Sequence, residues 1–257
     1  MAEERQENYT IMEGYELPSK GLIYGDKKVN PHVELRSMTA KDEMKRLSPS
    51  TTPLKTLADI IEGCMIEKPA IHVYDMALAD YEFLLHKLRI VTYGDEYKII
   101  VNCPDCDKVF ETIAHLEELE VKEFDINKFE ELKSFELPKS GRRITLKLTT
   151  PHLLDDIEIK TKEAQRKYKN VSMDFETRIR VLSSIDTIDG EVKGIIDLES
   201  IIDNLPAADF QKILNNLDKL NQAIGINNEL FITCPNCGNE VRTFFRFGPE
   251  FFRPTTL

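Results

Sequence analysis

Apolar and polar residues alternate with a period of two in a pair of distant stretches, Val33-Glu34-Leu35-Arg36-Ser37-Met38-Thr39 and Ile144-Thr145-Leu146-Lys147-Leu148-Thr149-Thr150. Such alternation predicts a half-buried strand in each place. Similar openings precede them, Tyr15-Glu16-Leu17-Pro18-Ser19-Lys20-Gly21 and Phe135-Glu136-Leu137-Pro138-Lys139-Ser140-Gly141. The first opening is followed by an extra segment, Leu22 to Asn30, whose Tyr-Gly-Asp-Lys centre reads as a hairpin turn.

After each strand the pattern changes to a helical one, from about Ala40 to Leu47 and from about Pro151 to Lys169. Pro151 suits a first helical turn, where the missing N–H costs nothing. Further on, small residues lead into Asp80 or Asp209, and a second amphipathic stretch begins. Tyr81, Leu84, Leu85 and Leu88 fall at i, i+3, i+4 and i+7, as do Phe210, Ile213, Leu214 and Leu217. That spacing gathers one apolar helix face in each case. Each stretch then yields to a strand (97–101 and 229–233), a Cys-Pro-x-Cys turn, and a second strand (108–111 and 240–245).

The same landmarks thus recur in the same order, with Asp80 23 positions before Cys103 and Asp209 25 before Cys234. The expectation is an α+β fold made of an internally duplicated strand–helix–ribbon unit. Its divisions are an N-terminal arm (1–14), a first repeat (15–119), a connector (120–134), a second repeat (135–247) and an aromatic C-terminal tail (248–257). The connector carries Phe124, Ile126 and Phe129 as docking residues, and no Gly/Ser- or Pro-rich linker separates the halves.

Composition narrows the function. The chain has 257 residues, 41% of them hydrophobic and 31% charged, and a formal net charge of −11. Nucleic-acid affinity comes mainly from cations that neutralise phosphates, so this balance disfavours a general DNA or RNA binder. The basic residues that would argue otherwise are Lys45-Arg46, Arg142-Arg143 and Arg242/Arg246 near the ribbons. No apolar run is long enough for a transmembrane helix. The N-terminal Met-Ala-Glu-Glu-Arg-Gln-Glu-Asn lacks the apolar core of a secretory signal, and the expected setting is a cytoplasm.

Four of the five cysteines form Cys103-Pro104-Asp105-Cys106 and Cys234-Pro235-Asn236-Cys237. Strand, Cys-Pro-x-Cys, strand is the pattern of a zinc knuckle. A closed structural zinc takes four ligands, and each knuckle supplies two. The expectation is one zinc per chain held by Cys103, Cys106, Cys234 and Cys237, stapling the ends of both repeats. The position after the second Cys favours a left-handed backbone, which Gly238 supplies readily and Asp107 tolerably. An iron–sulfur cluster on the same thiolates is the lesser alternative. A redox pair belongs at a helix N-terminus, whereas both motifs here lead into strands. Cys64, inside an apolar helical stretch, reads as a core residue.

Nothing in the chain has the form of a catalytic motif. The five histidines are scattered singly, and no phosphate loop, nucleophile elbow or dinucleotide fingerprint occurs. Asp80 and Asp209 read as helix-start caps. Four thiolates would leave a zinc no open position for water. The reading is a non-enzyme. Near the end, Phe244, Phe245, Phe247, Phe251 and Phe252 crowd nine positions. Leaving such side chains in water is costly, so Phe251 and Phe252 are expected to dock on the first repeat or on a partner subunit.

The combined pattern resembles the T-even-type baseplate (hub) proteins of contractile-tailed bacteriophages. The likeness rests on Leu17-Pro18-Ser19-Lys20-Gly21, Leu35-Arg36-Ser37-Met38-Thr39, Leu88-Arg89-Ile90-Val91-Thr92-Tyr93-Gly94 and Cys103-Pro104-Asp105-Cys106. Leu137-Pro138, Cys234-Pro235-Asn236-Cys237 and the Phe251-Phe252-Arg253-Pro254 end complete it. The order of these motifs and the paired knuckles carry more weight than any one of them. The resemblance implies a structural or assembly role in the tail baseplate, with other baseplate or tail proteins as partners. It also implies a place in the virion, after assembly in the host cytoplasm. A zinc-ribbon adaptor for nucleic acid and a tail-assembly chaperone absent from the finished virion are the competing readings.

Overall fold

In the computed structural model, residues 10–169, 171–245 and 249–252 are described. Residues 1–9, most of the expected arm, lie outside them, as do Arg246, Phe247 and most of the expected tail.

Strands β1 (Met12–Glu16) and β2 (His32–Arg36) pair antiparallel with Glu16 opposite His32. The Leu-Pro-Ser-Lys-Gly segment forms the turn that leaves β1, with Lys20 and Gly21 both at positive φ. Gly21 is required there, because a Cβ would come within 2.4 Å of the Val29 carbonyl oxygen. Thr39 then caps α1 (Ala40–Leu47), its hydroxyl and the Asp42 side chain closing a reciprocal capping box. Helix α2 (Pro53–Cys64) buries Leu57, Ile60, Ile61 and Cys64, so Cys64 sits in the core. After a 3-10 turn, α3 (Leu78–Tyr93) buries the expected face of Tyr81, Leu84, Leu85 and Leu88 and stops at Gly94. The first ribbon follows, β3 (Glu96–Asn102) paired with β4 (Val109–His115).

The connector is structured. Asp125 caps α4 (Ile126–Lys133), and Phe129 is buried with Phe124 against it edge to face. The second half opens with β5 (Ser134–Glu136) and β6 (Arg143–Leu146), joined by β7 (Ile185–Ile188) into a three-stranded antiparallel sheet. Thr150 caps α5 (Pro151–Lys167), with Pro151 in the first turn. Helices α6 (Phe175–Ser184), α7 (Ile195–Asp203) and α8 (Ala207–Gln222) lead to the second ribbon, β8 (Glu229–Thr233) with β9 (Glu240–Phe244). The mixture of helix and antiparallel strand makes this an α+β fold. No helix among the described residues is long and apolar enough to cross a membrane.

One apolar core runs through both halves, including Leu35, Ile61 and Leu84 from the first and Ile144, Ile188 and Leu217 from the second. Polar joints reinforce it. The Leu78 N–H donates to the Thr149 carbonyl at 2.8 Å, and the Tyr74 hydroxyl to Asp155 at 2.8 Å. From the connector, the Lys122 N–H donates to the Gly225 carbonyl at 2.9 Å, while Glu120 accepts from the Asn227 N–H at 2.7 Å.

Asp80 and Asp209 do not cap their helices, contrary to the sequence reading. The N-cap positions are Ala77 and Pro206, and neither makes a side-chain cap bond. Both carboxylates, fully buried, instead hold the Leu-Pro turn of their own half. Asp80 accepts from the Ser19 N–H at 3.1 Å and from the Ser19 and Tyr24 hydroxyls. Asp209 accepts from the Lys139 and Ser140 N–H groups, each at 2.8 Å. A turn whose amides point inward needs such an acceptor, since an orphaned buried donor costs about 1–3 kcal/mol.

Candidate metal centre

The two ribbons end in Cys-Pro-x-Cys turns built on one hydrogen-bond plan. The Cys103 N–H donates to Lys108 O at 3.0 Å and the Asp107 N–H to Cys103 O at 2.9 Å. In the second turn the Cys234 N–H donates to Asn239 O at 2.8 Å and the Gly238 N–H to Cys234 O at 2.9 Å. Asp107 and Gly238 occupy the left-handed region, as the motif requires. The inner ribbon faces pack Val101, Phe110 and Val241 around Cys103 and Cys234 in a small core of their own.

This packing brings the four sulfurs together although Cys106 and Cys234 are 128 positions apart. All four Sγ atoms lie within 4.8 Å of one another. Two sulfur pairs stand at hydrogen-bond distance across the knuckles, Cys103 with Cys237 at 3.7 Å and Cys106 with Cys234 at 3.8 Å, all as free thiols. The Asn239 side-chain amide also crosses the gap, donating to Asp105 at 3.0 Å.

Backbone N–H groups face the sulfurs as well. Desolvation alone would raise the Cys234 thiol, but the N–H groups of Cys237 and Asn236, with the neighbouring sulfurs, bring it down to about 6. The Lys108 N–H favours the Cys106 thiolate, yet desolvation and the three other sulfurs push that thiol up to about 12. Four soft donors this close, with polarised amides behind them, can hold a metal ion. No other group of three or more His, Cys, Asp or Glu side chains among the described residues offers such a cluster.

Phe251 and Phe252 sit in a 3-10 turn (Pro249–Phe252), and both are fully buried within the chain. The Phe251 ring lies 5.4 Å from that of Tyr97 and 5.2 Å from that of Phe245, and it stacks over His86. Phe251 is thus packed on α3 and β3 of the first half. Phe244 is exposed, whereas Phe245 is buried.

Of the cations noted beside the ribbons, Arg246 lies outside the described residues, and three of the others are held in ion pairs. Arg46 pairs with Glu43, Arg142 with Asp189 and Arg242 with Glu229.

Comparison with known proteins gives one finding. Residues 13–253 match the family model described as T4 bacteriophage base plate protein. No curated protein matches, and no solved structure does.

Proposed function

We propose a function for this chain from one premise: it belongs to the T4 bacteriophage base plate protein family. Membership gives it a structural role in the phage tail, among other tail proteins. Our reading is a non-enzymatic component or assembly factor of the baseplate hub, made in the host cytoplasm and retained in the virion. A single structural zinc, held by Cys103, Cys106, Cys234 and Cys237, ties its two halves together.

The observation that carries this reading is the convergence of two knuckles from opposite halves on one point. Four ligands at about 2.3 Å from a tetrahedral ion stand about 3.8 Å apart. The cross-knuckle sulfur distances of 3.7 and 3.8 Å match that spacing. An iron–sulfur cluster occupies more room than a single ion and would spread its cysteines further. Zinc here would polarise no substrate, since its four positions are filled by protein.

The duplication belongs to the same reading. Each half runs from a paired strand through a Thr-capped helix to a helix whose buried Asp grips a Leu-Pro turn, and then to a cysteine ribbon. We assign the repeats to 15–119 and 135–247, with 120–134 between them. Phe251 and Phe252, expected as partner contacts, would act on a neighbour only through the surface they shape, because both are buried here.

Mass spectrometry of purified tails, with and without Cys234→Ser, tests the role. The reading expects the wild-type chain in the particle at a fixed copy number and the variant missing from it. A chain needed for assembly yet absent from finished tails would instead be a chaperone.

A further inference from the structure

Of the four clustered sulfurs, two can be reached from water and two cannot. Cys237 is exposed and Cys106 half-buried, whereas Cys103 and Cys234 are buried. The close pairs join one of each kind across the two halves. Cys237 faces Cys103 at 3.7 Å, and Cys106 faces Cys234 at 3.8 Å. Each accessible thiol therefore has a shielded thiol of the opposite half as its neighbour. Reversible oxidation needs this arrangement. One sulfur must meet the oxidant, and a second must stand close enough to condense with it before oxidation goes further.

The pairing has supports besides an ion. Val101, Phe110 and Val241 pack around Cys103 and Cys234, and the Asn239 amide donates to Asp105 at 3.0 Å across the gap. A disulfide draws its sulfurs to about 2.05 Å, so each pair must close by roughly 1.7 Å. Two side chains and two surface turns share that shift. Cys64, buried in the core away from the ribbons, has no part in it.

We propose that the four-thiol cluster is an oxidation site at which hydrogen peroxide forms two crossed disulfides, Cys103–Cys237 and Cys106–Cys234. In the first step the Cys237 sulfur attacks the peroxide. The O–O bond breaks, an S–O bond forms, and two electrons pass from sulfur to the departing oxygen, which leaves as water with the thiol proton. In the second step the Cys103 sulfur attacks that of Cys237. The S–O bond breaks as the S–S bond forms, and the hydroxyl leaves as water with the Cys103 proton. Cys106 and Cys234 react in the same way, so each link consumes one peroxide. Where the sulfurs are metal-bound thiolates, the protons come from solvent and the ion leaves with its charge unchanged. One staple between the halves is then exchanged for a covalent one. Such an exchange suits a chain made in a reducing cytoplasm and later exposed to an oxidising medium. The inference rests on the sulfur geometry and not on which ion fills the site.

Titrating the full chain with hydrogen peroxide tests it, followed by alkylation, a non-reducing gel and peptide mass spectrometry. Metal content is measured before and after. Four of the five thiols should be lost, leaving Cys64 alone to be alkylated. The crossed links close loops of 134 and 128 positions, so the denatured chain should run faster until a thiol reductant restores it. Links inside a knuckle would close three positions and leave mobility unchanged. Cys106→Ser should still join Cys103 to Cys237 and leave Cys234 free, whereas Cys103→Ser should join Cys106 to Cys234 and leave Cys237 free. The wild-type gel decides between crossed and local links even if a variant fails to fold. Links within each knuckle, a Cys103–Cys234 or Cys106–Cys237 pairing, sulfinic acids without links, or four thiols that survive peroxide would each overturn the proposal. Crossed links in a chain that held no zinc beforehand would uphold it while removing the zinc reading.

Discussion

Replacing Asp80 with alanine removes one carboxylate and strands three donors. The Ser19 N–H loses its acceptor at 3.1 Å, and the Ser19 and Tyr24 hydroxyls lose theirs. The two hydroxyls can turn toward one another, which leaves about two buried donors unsatisfied. At about 1–3 kcal/mol for each, the loss would be roughly 2–6 kcal/mol. Part is offset, because burial pushes the Asp80 carboxyl above its ordinary range and its removal relieves that desolvation. A net cost of about 2–4 kcal/mol remains, equivalent to roughly 10 °C in Tm for a chain of this size. Urea unfolding of the purified protein measures it, and hydrogen exchange at the Ser19 amide reports the turn directly. Asp80→Asn, which keeps the volume and one acceptor oxygen, should cost less. The Ser19→Ala/Asp80→Ala double-mutant cycle should give a coupling of at least about 0.5 kcal/mol. If Asp80→Ala unfolds within about 0.5 kcal/mol of wild type, or the cycle shows no coupling, the turn is held by something else.

Two further outcomes follow from buried groups. Desolvation is the largest influence on the His86 imidazole and holds it down to about 4, against 6.5 in the unfolded chain. The unfolded state therefore takes up a proton first. Stability present above pH 6.5 should fall by up to about 3 kcal/mol as pH drops toward 4, and His86→Gln should flatten that slope in unfolding titrations. Phe251→Ala removes a fully buried ring between Tyr97 and Phe245 and should cost about 3–5 kcal/mol in urea unfolding. A negligible loss would mean that the ring's packing on the first half contributes nothing.

The parts legible in the sequence were those whose chemistry is local. A Cys-Pro-x-Cys turn needs a left-handed residue after it wherever it stands, and Asp107 and Gly238 meet that need. The spacing of Leu84, Leu85 and Leu88 marks a helix face that any core will accept. What escaped reading depended on distant partners. Asp80 near a helix start looks like a cap, and only the fold brings Ser19, 61 positions away, to its carboxylate. Strand β7 pairs with β6 across two intervening helices, a connection that no short-range pattern encodes. The amphipathic pattern of α1 shows that an apolar ridge exists, but which way it points is decided by Arg36 and Tyr93 on other elements. Spacing singled out the four cysteines as candidate ligands, whereas the cross-knuckle distances came only with the packed ribbons.

Native mass spectrometry of the purified chain, alone and with Cys103→Ser or Cys234→Ser, tests most directly whether one ion is shared by both halves. Wild type should carry one zinc, and either substitution, although in a different half, should remove that same ion. Two metals per chain, an iron cluster, or a variant that keeps its zinc with one knuckle altered would contradict a shared site.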